Sequence, residues 1–262
     1  MERMKVYSLN AKEGEPRFLQ AAQANYWFWQ RGYDVVGFER HELDAGRLDD
    51  DLLRDAENTI VCASVVVVCE ALQRAGRPLP PSIDFPPELQ RFVSRAISQA
   101  TMGEVRSWAE ASSKRLPAHV KPRDRQKLFA GKVVRDARDL HSLAGVSETE
   151  PVLVQEVVAL VSEWRACVLR GNVLNVAHYK GDALSFPKAE AIREAVKSFT
   201  TAPIGYGMDW GVTADGRTIL IEINDGYALG NYGVRGHHYT ALIECRWRQL
   251  MGLSDNGVGI IV

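Results

Sequence analysis

The sequence predicts an α/β protein built from α+β lobes, and three observations carry that expectation. Short β-branched or aromatic runs alternate with helical stretches across residues 5–76. A proline-dense stretch, Pro78 to Pro87, then interrupts regular structure. After it the apolar pattern turns to hairpin-like strand pairs, the clearest running from Gly207 to Asn224.

Lys5 to Leu9 reads as a short buried strand, and Arg17 to Gln30 as a helix with Phe18, Ala21, Ala22, Asn25 and Trp29 near helical spacing. Gly32 is a helix stop before a second strand, Tyr33 to Phe38. Asp49 to Ala56 begins with acidic residues, as a helix N-terminus prefers. Thr59 to Ala63 is a third strand, and Ser64 is placed to cap a helix from Val65 to Arg74 that Gly76 ends. This alternation implies a small open α/β lobe, assigned to residues 1–86. The remainder, 87–262, forms the second domain.

Within it, Glu88 to Ser98 and Thr101 to Ala111 read as helices, the first presenting Leu89, Phe92, Val93 and Ile97. Ala118 to Pro122 is a strand, Arg123 to Lys127 a charged turn, and Leu128 to Val134 a returning strand. An amphipathic helix over Arg135 to Ala144 precedes a β-branched strand, Pro151 to Val158. Ser162 to Lys180 reads as a hairpin turning at Gly171-Asn172, Lys188 to Phe199 as a helix, and His238 to Met251 as a terminal helix.

The chain of 262 residues suffices for one large domain or two to three small lobes sharing a core. Its 46% apolar and 25% charged content is ordinary for a soluble globular enzyme. A net charge of −1 gives no global field toward nucleic acid or an anionic membrane. No apolar run approaches the ~20 residues that span a bilayer. Met1-Glu2-Arg3-Met4 leads into a strand without the apolar core of a signal peptide. Cys62, Cys69, Cys167 and Cys245 lack metal-ligand spacing and suit a reducing compartment. The expected location is the cytoplasm.

The hairpin from Gly207 to Asn224 carries the sharpest chemical signal. With Asp215-Gly216 as a two-residue turn, Val212 meets Ile219 and Asp209 meets Glu222. Ile219, Ile221 and Ile223 then share one face, while Glu222 and Asn224 share the other. Opposed carboxylates repel in a sheet. A divalent cation held by hard oxygen ligands would turn that repulsion into binding. A solvated acidic strand face is the plainer alternative. The Gly- and Asn-rich loop that follows, Asp225 to Gly233, favours a site, since loops carry binding residues more often than core.

Pairing the other hairpin about Gly171-Asn172 sets Arg165 opposite His178 and Glu163 opposite Lys180. That face is either an exposed ion-paired surface or an anion-binding one, Arg offering a bidentate fork and Lys a point charge. Lys121 ends one strand and Lys127 re-enters another, so the basic turn between them could lie over a polyphosphate or simply stay hydrated. No GxxxxGK[ST], GxGxxG, GxSxG or HExxH pattern occurs, which excludes the usual phosphate, dinucleotide, serine-hydrolase and zinc-protease devices.

In the order of these pieces the chain resembles the ATP-grasp superfamily. The likeness runs from about Pro87 to the C-terminus, with the first lobe similar to the usual preceding domain. It is most specific in IEINDGYALGNYG, and Glu163-Trp164-Arg165 resembles the Glu-x-Arg of the clade named for an arginine and two lysines. The resemblance implies a lysine-bearing lobe at about 112–160 and a metal-binding lobe at about 161–262. Lys121 and Lys127 would contact phosphates, and the backbone of Gln155, Glu156, Val157 and Val158 would contact adenine, with Glu163 also at the nucleotide. Asp209, Glu222 and Asn224 would hold Mg2+, for which Mn2+ could substitute. Arg165 and Lys180 would contact the transferred phosphoryl and acyl groups. Asn231 and Arg235 would face the acceptor. One departure stands out: the basic turn at Arg123 to Lys127 replaces the usual glycine-rich phosphate loop.

The activity implied is ADP-forming ligation of a small-molecule or peptide carboxylate to an amine through an acylphosphate, making an amide or peptide bond. Two other classes stay open on the sequence: an ATP-binding sensor without turnover, and a nucleic-acid-processing protein using the basic turn. Neither the substrates nor the oligomeric state can be read from it.

Overall fold

A computed structural model describes residues 4–10, 18–125 and 128–258, and within them the chain builds three sheets. The first segment comprises β1 (Lys5–Leu9), α1 (Phe18–Gln30), β2 (Asp34–Phe38), α2 (Arg40–Asp44), α3 (Asp49–Arg54), β3 (Thr59–Cys62) and α4 (Val65–Arg74). Its strands are parallel in the order β2-β1-β3, as strand–helix alternation dictates. The buried face of α1 differs from the expected one: Ala24 and Phe28 enter the core and Trp29 is exposed.

After the proline-rich stretch come α5 (Gln90–Val93), β4 (Ile97–Thr101), α6 (Met102–Glu110), β5 (Ala118–Pro122), β6 (Lys132–Val134) and β7 (Pro151–Glu156). These strands form an antiparallel sheet in the order β4-β7-β5-β6. The helix expected over Glu88 to Ser98 stops at Val93, because Ser94 takes a left-handed conformation (φ 50°) and Ile97 pairs with Gln155. Sheet pairing overrides the helical apolar spacing there. Thr101 caps α6 by accepting from the Glu104 amide, while the Glu104 carboxylate accepts from the Thr101 amide. Residues 137–143, expected as an α-helix, form a 3-10 turn started by Asp136, whose side chain accepts from the Arg138 amide.

The third sheet contains β8 (Leu160–Leu169), β9 (Asn172–Gly181), β10 (Gly205–Thr213) and β11 (Thr218–Asp225), in the order β11-β10-β8-β9; α7 (Ala189–Ser198) lies between β9 and β10, and α8 (Gly236–Leu250) follows β11. The β8–β9 turn sits at Arg170-Gly171, both at positive φ, one residue earlier than expected. Two bulges absorb the slip: Glu163 still meets Lys180, but Arg165 meets Ala177 and His178 meets Trp164. In the β10–β11 hairpin Asp209 meets Glu222 as expected, whereas Val212 pairs with Thr218 across a longer turn. A bulge leaves Ile221 unpaired there, so Leu220 and Ile223 share a core, not three alternate isoleucines.

Each sheet has its own apolar core. That of the first is completed from the C-terminal end of the chain by Tyr227, Leu229 and the α8 residues Leu242 and Trp247. The Trp247 indole N–H donates to the Thr59 carbonyl at 2.7 Å, fixing α8 against β3. The third sheet buries Met208, Trp210, Leu220 and Ile223 against Phe92 and α7. Large side chains buried this way contribute about 1.5–3 kcal/mol each. Among the described residues no helix is long and apolar enough to cross a membrane.

Candidate active site

The third sheet carries a row of charges on adjacent strands. Arg165 of β8 is paired in register with Asp209 of β10, which is paired with Glu222 of β11. Arg165 donates through Nε and Nη2 to the two Asp209 oxygens, both at 2.6 Å, and both side chains are buried. Burial pushes the Asp209 carboxyl above its ordinary value, opposed by the Arg165 guanidinium. Asn224, next on the Glu222 face of β11, donates to Asp209 Oδ2 and to Glu222 Oε1, each at 3.2 Å. The three residues expected to hold a cation therefore form one hydrogen-bonded set.

Lys121 reaches this set from β5 of the second sheet. Its ammonium donates to Glu222 Oε2 at 2.7 Å and to Asp84 Oδ1 at 2.9 Å. Burial works against the ammonium, but Glu222 and Asp84 overcome it and hold Lys121 above the ordinary lysine value. Asp84 belongs to the proline-rich stretch, read from sequence only as a boundary. Its carbonyl accepts from the Ile223 amide at 3.1 Å, so the stretch lies along β11 and delivers Asp84 to Lys121.

Beside the row, Lys180 pairs with Glu163 at 2.5 Å; Lys180 is exposed and Glu163 half-buried. Tyr179, displaced by the bulge, lies near Glu163 and Asp209, and burial pushes its phenol up so that it stays neutral. Its ring packs 5.3 Å from that of Tyr232, over which the Arg165 guanidinium lies at 4.4 Å. The sequence reading missed both tyrosines: a bulge cannot be read from alternation, and a tyrosine in a glycine-rich loop carries no motif.

The segment 155–158 starts at the end of β7. Gln155 is buried and accepts two hydrogen bonds from Arg95, at 3.0 and 2.8 Å; Glu156 exchanges bonds with Ala96, and Val157 is exposed. Arg95 also escaped the sequence reading, which placed it inside a helix. Asn231 donates to Gln23 of α1 at 3.3 Å, and exposed Arg235 precedes α8. Both lie away from the charged row's direct hydrogen bonds. Lys127 lies outside the described residues.

Two carboxylates and an amide are oxygen donors of the kind magnesium takes. The two carboxylates suit that ion, while here Arg165 and Lys121 hold them and Asn224 turns its Nδ2 toward both. Among the described residues no group of three or more His, Cys, Asp or Glu side chains is arranged for a metal.

Two antiparallel sheets, one carrying the acids and joined to the other through Lys121, agree with the fold that comparison with known proteins gives. The ATP-grasp domain family that is the second of the clade named for an arginine and two lysines matches residues 92–242, and the chain belongs to it. Solved structures share the fold. Bacillus anthracis D-alanine–D-alanine ligase complexed with ATP is 14% identical, covers 95% of this chain and 97% of its own, and superposes with a TM-score of 0.55. The D-cycloserine synthetase DcsG is 12% identical over 94% of this chain and 99% of its own, with a TM-score of 0.57. The ATP-grasp ligase PsnB complexed with a minimal precursor is 15% identical over 93% and 100%, with a TM-score of 0.50. No curated protein is significantly similar in sequence.

Proposed function

We propose that this chain is an ATP-dependent, ADP-forming carboxylate–amine ligase acting through an acylphosphate on an amino acid or short peptide. The observation that carries the reading is the bridge from Lys121 to Glu222, which joins the two antiparallel sheets above the Asp209–Arg165 pair. It supports a site where basic and acidic groups meet between lobes, as transfer of a highly charged phosphoryl group requires.

Asp209, Glu222 and Asn224 would hold Mg2+, which when bound neutralises charge on phosphate oxygens. Lys121 binds the triphosphate as a point charge, joined by Lys127 from the basic turn. The backbone of Gln155 to Val158 receives the adenine. Arg165 stabilises the transferred group and the tetrahedral intermediate, with Lys180 and Glu163 beside it.

A substrate carboxylate oxygen attacks the γ-phosphorus, a new P–O bond forms, and ADP departs with the bridging oxygen. The amine nitrogen then attacks the acyl carbon, a C–N bond forms and phosphate leaves, while the amine gives up a proton. Asn231 and Arg235 orient the amine-bearing partner. The D-alanine–D-alanine ligase and the ligase PsnB complexed with a minimal precursor, both of this fold, support an amino acid or short peptide as substrate.

A phosphate-release screen tests the proposal. Amino acids and peptides are offered as carboxylate and amine pairs with ATP and magnesium, to the wild type and to Glu222→Ala. Substrate-stimulated ADP formation that disappears in the variant supports the reading. ADP release unchanged by the substitution would refute it.

A further inference from the structure

One guanidinium ties the two antiparallel sheets together. Arg95 sits between α5 and β4, where left-handed Ser94 turns the chain. All five of its N–H groups have partners. Nε and Nη2 donate to Gln155 Oε1 at 3.0 and 2.8 Å. Nη1 donates to the Leu220 carbonyl at 2.7 Å and the Val93 carbonyl at 3.2 Å, and Nη2 to the Ile221 carbonyl at 2.6 Å. The Phe85 ring lies 5.4 Å from the guanidinium carbon.

Every direct hydrogen-bond partner is neutral. A half-buried cation normally takes a carboxylate, and here carbonyl dipoles and one amide hold it instead. What such an arrangement gains is geometry, because a guanidinium presents its donors in a rigid planar fork. The partners belong to two different sheets, Gln155 to the second and Leu220 and Ile221 to the third. Gln155, near the end of β7, begins the segment proposed above to receive adenine, which would act as a hinge. Leu220 and Glu222 flank the bulge that sets Glu222 opposite Asp209, and Ile221 is its unpaired residue.

We infer that Arg95 is a positioning residue that fixes the separation between the hinge at Gln155–Val158 and the phosphate-and-metal end at Glu222–Asn224. The inference rests on the ATP-binding reading above. With its five donors committed, Arg95 does not itself bind phosphate; it sets the span that a nucleotide must fit. ATP occupies both ends of that span, whereas inorganic tripolyphosphate occupies only one.

The test is titration calorimetry of ATP and of tripolyphosphate, each with magnesium, against the wild type, Arg95→Lys and Gln155→Met. Lysine keeps the charge and loses the fork. Arg95→Lys is expected to weaken ATP by roughly 10- to 100-fold, the usual effect of losing a supporting partner, and to leave tripolyphosphate unchanged. Gln155→Met, which leaves the bonds to Leu220, Ile221 and Val93, is expected to act in the same direction. It decides the matter alone if Arg95→Lys does not fold. Equal losses for both ligands would make Arg95 a direct phosphate contact and overturn the inference, as would unchanged ATP affinity in both variants. Failure of tripolyphosphate to bind the wild type would also overturn it, since the phosphate end would not act alone. A wild type that binds no ATP would instead refute the ligase reading beneath it.

Discussion

Asp209 and Glu222 face each other across β10 and β11, and each is neutralised by a different strand: Arg165 from β8 holds Asp209, and Lys121 from β5 holds Glu222. Removing Glu222 therefore leaves the Asp209–Arg165 pair intact while stripping the proposed cation site of a ligand. Glu222→Gln is expected to fold normally and to lose ADP formation by on the order of 100-fold or more. Circular dichroism alongside the phosphate-release assay checks both halves; a variant within about threefold of wild-type turnover contradicts the assignment.

The Arg165–Asp209 pair should behave as a buried unit. Arg165→Met strands a buried carboxylate, and losing one partner of such a pair costs about 3–5 kcal/mol. Replacing both, as Arg165→Met with Asp209→Leu, is expected to restore most of that loss, because the stranded charge is gone. Urea denaturation of the two singles and the double reads the coupling. Additive effects would show that the bidentate contact does not define the pair energetically.

Most of the architecture was legible because its signals are local. The helix from Val65 to Arg74 and the strand from Ala118 to Pro122 appear as expected because such signals are set by neighbours in sequence, although Ser64, at the helix N-cap position, makes no side-chain cap hydrogen bond. The Asp209–Glu222 pairing came out as expected by compensation: the turn is one residue longer than the two-residue turn assumed, and the bulge at Ile221 restores the register beyond it. The failures fall where distant strands decide. Ile97 joins β4 because Gln155 waits beside it, and the bulges at Ile221 and Tyr179 depend on partners not visible along the chain. Asp84 and Arg95 were missed on the same ground: one lies in a proline-rich connector, the other beyond a left-handed serine, and only the fold brings them to the cleft.

In the first segment, Asp51 accepts from the Lys5 ammonium at 2.6 Å and from the Tyr7 hydroxyl, tying α3 to β1. Burial pushes Asp51 up, but these two donors outweigh it and hold the carboxyl below its ordinary value, while the hydrogen bond to Asp51 raises Lys5. A lowered acid stabilises the fold above its unfolded value, and that contribution fades as pH falls toward the folded one. A raised lysine stabilises below its unfolded value and fades at high pH. The contact is thus fully present between the ordinary values of 3.8 and 10.5. Asp51→Asn is expected to cost about 1 kcal/mol at pH 7. The gap from wild type should shrink as the pH is lowered below 3.8, measured as urea midpoints. A pH-independent gap would contradict the linkage.

Two glycines, one on either side of β11, are required for different reasons, and alanine separates them. Gly226 directly follows Asp225, and a Cβ there would overlap the Gly205 carbonyl oxygen, a backbone atom that cannot swing aside. Gly226→Ala must therefore push the β11 end away from β10, just beyond Asn224. Overpacking of this sort costs about 1–3 kcal/mol, and turnover should fall with it because the displaced segment carries the proposed cation ligands. Gly216, at φ +76° in the β10–β11 turn, has no atom within 4 Å of such a Cβ. Its replacement costs only backbone strain, roughly 1 kcal/mol, and should leave turnover unchanged. Urea stability and phosphate release measured on both variants distinguish the two. Equal losses of activity would show that the position of the β11 end does not govern the site.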